Sequence, residues 1–109
     1  MLDVAPELAA LAGRLDHEFA DPSLLERALA HRSWCAENGG RPSNERLEFL
    51  GDAVLGLCVT DYIYRSYPDF SEGDLAKMRA AIVNETVLAE TAATYSLGPT
   101  LLLGNGEDQ

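Results

Sequence analysis

Basic residues are scarce in this chain: 8 lysines and arginines stand against 18 aspartates and glutamates, a formal net charge of −10 over 109 residues. A polyanion binder usually shows the opposite sign, because affinity for phosphates comes mainly from Lys and Arg displacing counterions. Composition by itself therefore argues against nucleic acid, unless divalent cations occupy the carboxylates or another domain supplies a basic surface. Long hydrophobic runs are also missing. No apolar stretch approaches the roughly 18 to 20 residues of a membrane span, so no membrane partner is expected. The start, MLDVAPELAALAGRLDHEF, carries acid where a secretory signal needs positive charge, which makes a cytoplasmic location the expectation. Cysteine is sparse: Cys35 and Cys58 lack a CxxC spacing and read as small hydrophobes rather than a disulfide or a metal site. Strict apolar–polar alternation, internal repeats and low-complexity tracts are absent, which argues against a half-buried sheet and against a repeat array.

What is present is helical periodicity, in a length that suits one domain spanning residues 1–109. The expected fold class is all-α, a compact multi-helix domain with one long central helix. Pro6 to Leu15 reads as a first helix, with Pro near its N-terminus and Leu8, Leu11 and Leu15 at spacings of three and four. Asp21 can cap a second helix with Pro22 at its first position, running to about Ser33. Ala36 to Asn44, AENGGRPSN, is a loop by composition. Ser43 or Asn44 then caps the long helix, which continues to about Tyr67 and ends before Pro68. Ser71 caps a further helix bearing Leu75, Met78, Ala81 and Ile82. Another follows Asn84 and Glu85, with Val87, Leu88 and Thr91 to Tyr95, and stops at Gly98 and Pro99. The remaining TLLLGNGEDQ reads as a polar, fading end.

The long helix poses the functional question. On a helical wheel Leu47, Leu50, Val54, Leu57 and Cys58 share an arc of about 100°, the stripe expected to face the core. Glu45, Glu48 and Asp52 share about 60° on the opposite side. Like charges on neighbouring turns destabilise a helix by tenths of a kcal/mol each, so something should offset them. The plain alternative is a solvated acidic face, aided at Glu45 and Glu48 by the helix dipole. Asp52 lies beyond the dipole's reach, Asp is a poor helix former, and Gly51 beside it costs about 1 kcal/mol relative to Ala; a solvent face needs neither. Phe49, Ala53 and Gly56 border the acids, and an exposed aromatic beside small residues suggests a partner packing there. Clustered hard oxygen ligands on a rigid helix suit Mg²⁺, with Ca²⁺, Mn²⁺ or no metal left open by spacing alone. Such a cation serves phosphodiester hydrolysis by neutralising phosphate and activating water.

The stretch ERLEFLGDAVL, Glu45 to Leu55, resembles the signature motif of the ribonuclease III catalytic domain. The likeness extends through LERALAHRSW before the loop and SEGDLAKMRAAIVNETVLAETA after the long helix, covering roughly residues 15 to 106. It implies an all-α endonuclease domain that cleaves double-stranded RNA with Mg²⁺, Mn²⁺ being the alternative metal, and leaves 5′-phosphate and 3′-hydroxyl ends in rRNA and mRNA maturation. By the same resemblance Glu48 would bind Mg²⁺ directly, and Asp52 would complete the site and assist the nucleophile. Glu45 would support catalysis and Glu72 would line the acidic valley. Phe49 would enter a socket on the second subunit of a homodimer. The family's second pair of metal-binding acids, an Asp and a Glu three residues apart, falls beyond Gln109. Glu107 and Asp108 do not match that role. The domain is thus expected to be incomplete at its C-terminal end, without the double-stranded-RNA-binding domain that commonly follows, and inactive on its own. The alternatives are a catalytically silent module that binds RNA or the ribosome and, on charge alone, an acidic protein-interaction domain.

Other residues read more plainly. His31 and Arg32 are structural or contact phosphate, because a metal-dependent hydrolase needs no imidazole base. His17 offers nothing specific. Trp34, Tyr62, Tyr64, Tyr67 and Tyr95 suit a core or an interface, since duplex RNA hides its bases. Asp61 falls inside the apolar stripe of the long helix, so burial with a hydrogen-bonding partner, and a loss of stability in Asp61→Ala, are expected. Lys77 and Arg79 are candidates for phosphate contact.

Overall fold

The computed structural model describes residues 5–105; Glu107 and Asp108 lie outside the described residues. Those residues form helices α1 (Ala5–Arg14), α2 (Pro22–Leu29), α3 (Arg32–Glu37), α4 (Glu45–Ser66), α5 (Glu72–Ile82) and α6 (Glu85–Thr94), then a short 3₁₀ turn over Gly98–Thr100. The all-α expectation holds. No helix among the described residues is long and apolar enough to cross a membrane.

Local chemistry sets most boundaries. The Asp21 carboxylate accepts the Ser23 N–H at 3.1 Å and Pro22 opens α2. Ser71 Oγ accepts the Asp74 N–H, and Asn84 Oδ1 the Val87 N–H, so each satisfies a donor that a helix start otherwise leaves bare. The core is small. Leu8, Leu11, Leu25 and Leu29 pack together with Leu15, Phe19 and Leu97 against them, and Leu11 is fully buried. A second group joins Ala30, Trp34, Cys35 and Leu102. Each leucine fully removed from water contributes about 1.5–3 kcal/mol.

Two expectations are corrected here. The second helix does not run to about Ser33: it ends at Leu29, Ala30 is extended, and His31 caps a separate α3 by accepting the Ser33 N–H on Nδ1 at 3.1 Å. Nor does the chain fade after Thr100. Leu102 is buried, pairs with Ala30 in a lone parallel bridge, donates its N–H to Leu29 and accepts that of His31, both at 3.0 Å. The break in α2 frees backbone groups that distant segments satisfy, Leu102 among them, and helical periodicity carries no trace of it. Gly104 then passes against α3, its N–H donated to Ser33 Oγ at 2.8 Å. A Cβ on Gly104 would meet the Ser33 carbonyl carbon at 2.9 Å and also the Glu37 carboxylate. Gly104→Ala is therefore expected to cost about 1–3 kcal/mol, read in a denaturant titration, as overpacking at a fixed backbone does. An unchanged midpoint would mean that this segment is not docked.

The same break positions the long helix. The Asn44 N–H donates to the Ala30 carbonyl at 3.0 Å, its side-chain amide donates to the Ala28 carbonyl at 3.1 Å, and Arg27 Nε donates to the Ser43 carbonyl at 3.3 Å. From that anchor α4 extends about 33 Å over its 22 residues and packs chiefly on α5, which returns antiparallel to it. The result is elongated: the radius of gyration is 16.5 Å, against about 13 Å for a compact domain of this length.

Candidate active site

The apolar stripe of α4 does not face this chain's core. Leu50, Val54 and Leu57 are 58 %, 50 % and 70 % exposed, Cys58 is exposed, and only Leu47 is half-buried. The face that packs is the one bearing the acids. From Glu48 and Asp52 it continues at helical spacing through half-buried Leu55 and Val59 to buried Ile63. A wheel identifies the apolar arc; it cannot tell a neighbouring helix of the same chain from another surface. Asp61 is corrected for the same reason. It is exposed and pairs with Arg65 Nε at 2.8 Å, four residues on, and that hydrogen bond raises the Arg65 pKa above its ordinary value. An exposed pair of this kind adds little. Asp61→Ala is expected to leave the melting temperature unchanged, contrary to the reading from sequence; a clear drop would reveal a buried role.

At the start of α4, Ser43 Oγ accepts the Glu45 N–H at 3.3 Å and bonds the Glu45 carboxylate at 2.9 Å. It takes the capping role that Asn44, committed to Ala28, does not fill. Glu45 is thereby tethered at the positive end of the helix dipole. Glu48 and Asp52 are exposed, and among the described residues neither has an ion pair or a side-chain hydrogen bond. Their spacing of four stacks them on adjacent turns, with Cβ atoms about 5–6 Å apart. A Cβ at Gly51 or Gly56 would meet nothing within 4 Å, so no contact inside the chain requires these glycines.

Asp52 opens onto a cleft of about 500 Å³ between α4 and α5, whose lining includes Gly56 and Thr60 from α4 and Ala76, Arg79 and Val83 from α5. Thr60 was not singled out from sequence, although the run Asp52, Gly56, Thr60 at spacings of four is the signal that marks it. Glu72 stands elsewhere. It opens α5 and is not among the residues that line the cleft with Asp52. Among the described residues Phe49 is the most exposed of the large hydrophobic side chains at 84 %, and it borders a second cleft, of about 540 Å³, with Arg27, Glu45, Arg46 and Leu50. His31 caps α3, its Nδ1 engaged with Ser33 at the start of that helix.

Among the described residues no three His, Cys, Asp or Glu side chains converge on one point. Glu48 and Asp52 nevertheless fit a hard divalent cation: two adjacent carboxylates, neither ion-paired among the described residues, leave room for the waters and substrate oxygens that Mg²⁺ retains.

Fold and site together define an all-helical domain built on a long, carboxylate-bearing helix. The model of the Ribonuclease-III-like family matches residues 21–109, and the chain belongs to that family. Among curated relatives, the chain is 57% identical over 98 residues to ribonuclease 3 of Streptomyces coelicolor, covering 90% of this chain and 35% of that protein. To ribonuclease 3 of Thermobifida fusca it is 60% identical over 87 residues, covering 80% of this chain and 36% of the relative. It thus spans about a third of the length of these relatives. The nuclease domain of ribonuclease III from Campylobacter jejuni superposes with a TM-score of 0.84 at 42% identity, over 93% of this chain and 68% of that one. A second structure of that domain gives 0.81 at 43% identity, over 92% and 65%. The first of these concerns structural flexibility in a region involved in dimer formation.

Proposed function

We propose that this chain is part of an endoribonuclease that hydrolyses phosphodiester bonds in double-stranded RNA with Mg²⁺, or Mn²⁺ in its place, leaving 5′-phosphate and 3′-hydroxyl ends. It would act in the cytoplasm on ribosomal and messenger RNA precursors. The observation that carries the reading is the pair Glu48 and Asp52, one turn apart, exposed and unpaired among the described residues, with Asp52 lining the α4/α5 cleft. In a chain of this family, two carboxylates left without cations are the groups that would hold the metal. The cation, when bound, supplies phosphate neutralisation and an activated water. Of the three acids only Asp52 lines the cleft, and it would receive the proton of the attacking water. Glu45, held by Ser43, keeps negative potential at the helix start and supports the pair.

We further propose a two-fold homodimer through the outward face of α4. Phe49, Leu50 and Val54 lie together on successive turns and are exposed, and exposed Leu57 continues the patch to the rim of the α4/α5 cleft. The Campylobacter domain, of the same fold, has a region involved in dimer formation, which supports this reading. The test of function is incubation of the full-length protein with a long RNA duplex and a single-stranded control, with Mg²⁺ or with chelator, followed by analysis of the termini. Cleavage of the duplex alone, only with metal, is expected. Binding without cleavage would instead identify a silent RNA-binding module.

A further inference from the structure

We infer that Arg79 is a substrate-binding residue that holds a backbone phosphate of the RNA duplex in the α4/α5 cleft beside Asp52; this rests on the endoribonuclease reading above. Arg79 and Asp52 line the same cleft from opposite helices. Although acids outnumber bases 18 to 8, Arg79 forms no ion pair; those among the described residues join Arg41 to Glu26 and Arg65 to Asp61. Its hydrogen bond is to a neutral group, Nη1 donating to Thr60 Oγ1 at 3.3 Å. The hydroxyl fixes the guanidinium on α4 without consuming its charge, and the rest of its donor fork stays available.

The walls around it are small. Ala53, Gly56, Ala76 and Ala80 line the cleft, and a Cβ at Gly56 would meet nothing within 4 Å. Space for an anion therefore exists where the cation stands. The electrostatic need is plain as well: a phosphate approaching Glu48 and Asp52 is repelled, and a fixed cation in the same cleft offsets that repulsion at the position where the scissile bond must lie. A planar guanidinium suits a phosphate better than an ammonium, because two parallel N–H groups meet two oxygens. Lys77, two residues earlier on α5, is not part of the cleft, so of the two cations flagged by sequence the geometry selects Arg79.

The test is equilibrium binding of a long RNA duplex to the full-length protein across a salt series, with Ca²⁺ replacing Mg²⁺ to suppress turnover. Arg79→Gln is expected to weaken binding about tenfold, as loss of a charged hydrogen bond does. It should also flatten the slope of log affinity against log salt by about one, since one phosphate contact is lost. Arg79→Lys should keep the slope and most of the affinity. Thr60→Val, which removes the anchor and leaves the charge, should weaken binding a few-fold, about threefold, at an unchanged slope. A wild-type slope in Arg79→Gln, or an Arg79→Lys protein as weak as Arg79→Gln with a lowered melting temperature, overturns the inference. Cleavage of the duplex by the wild-type protein with Mg²⁺, measured in parallel, separates the failures. If the wild type cleaves nothing, the endoribonuclease reading falls; if it cleaves while Arg79→Gln binds with the wild-type slope, only the role of Arg79 falls.

Discussion

Asp52→Asn in the full-length protein is expected to lower Mg²⁺-dependent cleavage of an RNA duplex by at least about a thousandfold, because a metal's electrostatic contribution of several kcal/mol corresponds to that factor. The fold should not suffer. Asp52 is exposed and, among the described residues, makes no side-chain hydrogen bond or ion pair, so the near-isosteric amide breaks nothing inside the chain. It also relieves repulsion from Glu48 one turn away, and the melting temperature should stay level or rise slightly, since like charges at this spacing cost tenths of a kcal/mol. Loss of activity with unchanged or improved stability is the signature of a group kept for chemistry. Cleavage within tenfold of the wild type would remove Asp52 from the mechanism.

The second large effect concerns assembly. Phe49→Ala should weaken self-association of the full-length protein by about 2 kcal/mol or more, roughly thirtyfold in the dimer dissociation constant, as truncation of a central interface aromatic does. The argument is one of exposed area. Phe49 at 84 % and Leu57 at 70 % stand on α4 with Leu50 and Val54 between them, all open to water in the single chain. Monomeric proteins rarely leave such a contiguous patch uncovered. Within this chain Phe49 supports no core, so the variant should fold as well as the wild type, and sedimentation velocity across a concentration series reads association alone. A dissociation constant unchanged in both Phe49→Ala and Leu57→Ala would place the dimer contact elsewhere.

These two predictions share a helix, and α4 also marks how far the sequence could be read. Its acids and its apolar arc were both visible as periodicity, and Glu45, Glu48, Asp52 and Phe49 stand exposed along it, as a site and an interface need. What the pattern left open was orientation. The arc expected to face the core is turned outward, and Asp61, placed in that arc, is turned outward with it. That Arg79 of α5 lines one cleft with Asp52 and Thr60 of α4 was likewise invisible, because it joins residues from two helices whose relative rotation no local pattern encodes.

The sequence by itself determined most of the helices, the caps at Asp21 and Ser71, and the carboxylate signature of the family, since each depends on side chains within a few residues of one another. Only the tertiary structure decided that α2 breaks at Ala30, that Leu102 returns to fill the break, and that Leu50, Val54 and Leu57 of α4 stay exposed instead of entering a core. Those outcomes rest on hydrogen bonds and packing between segments far apart in the chain, such as Leu102 with Leu29 and Arg79 with Thr60. A backbone group left bare in one segment is satisfied by another, and neither segment's local composition records the match.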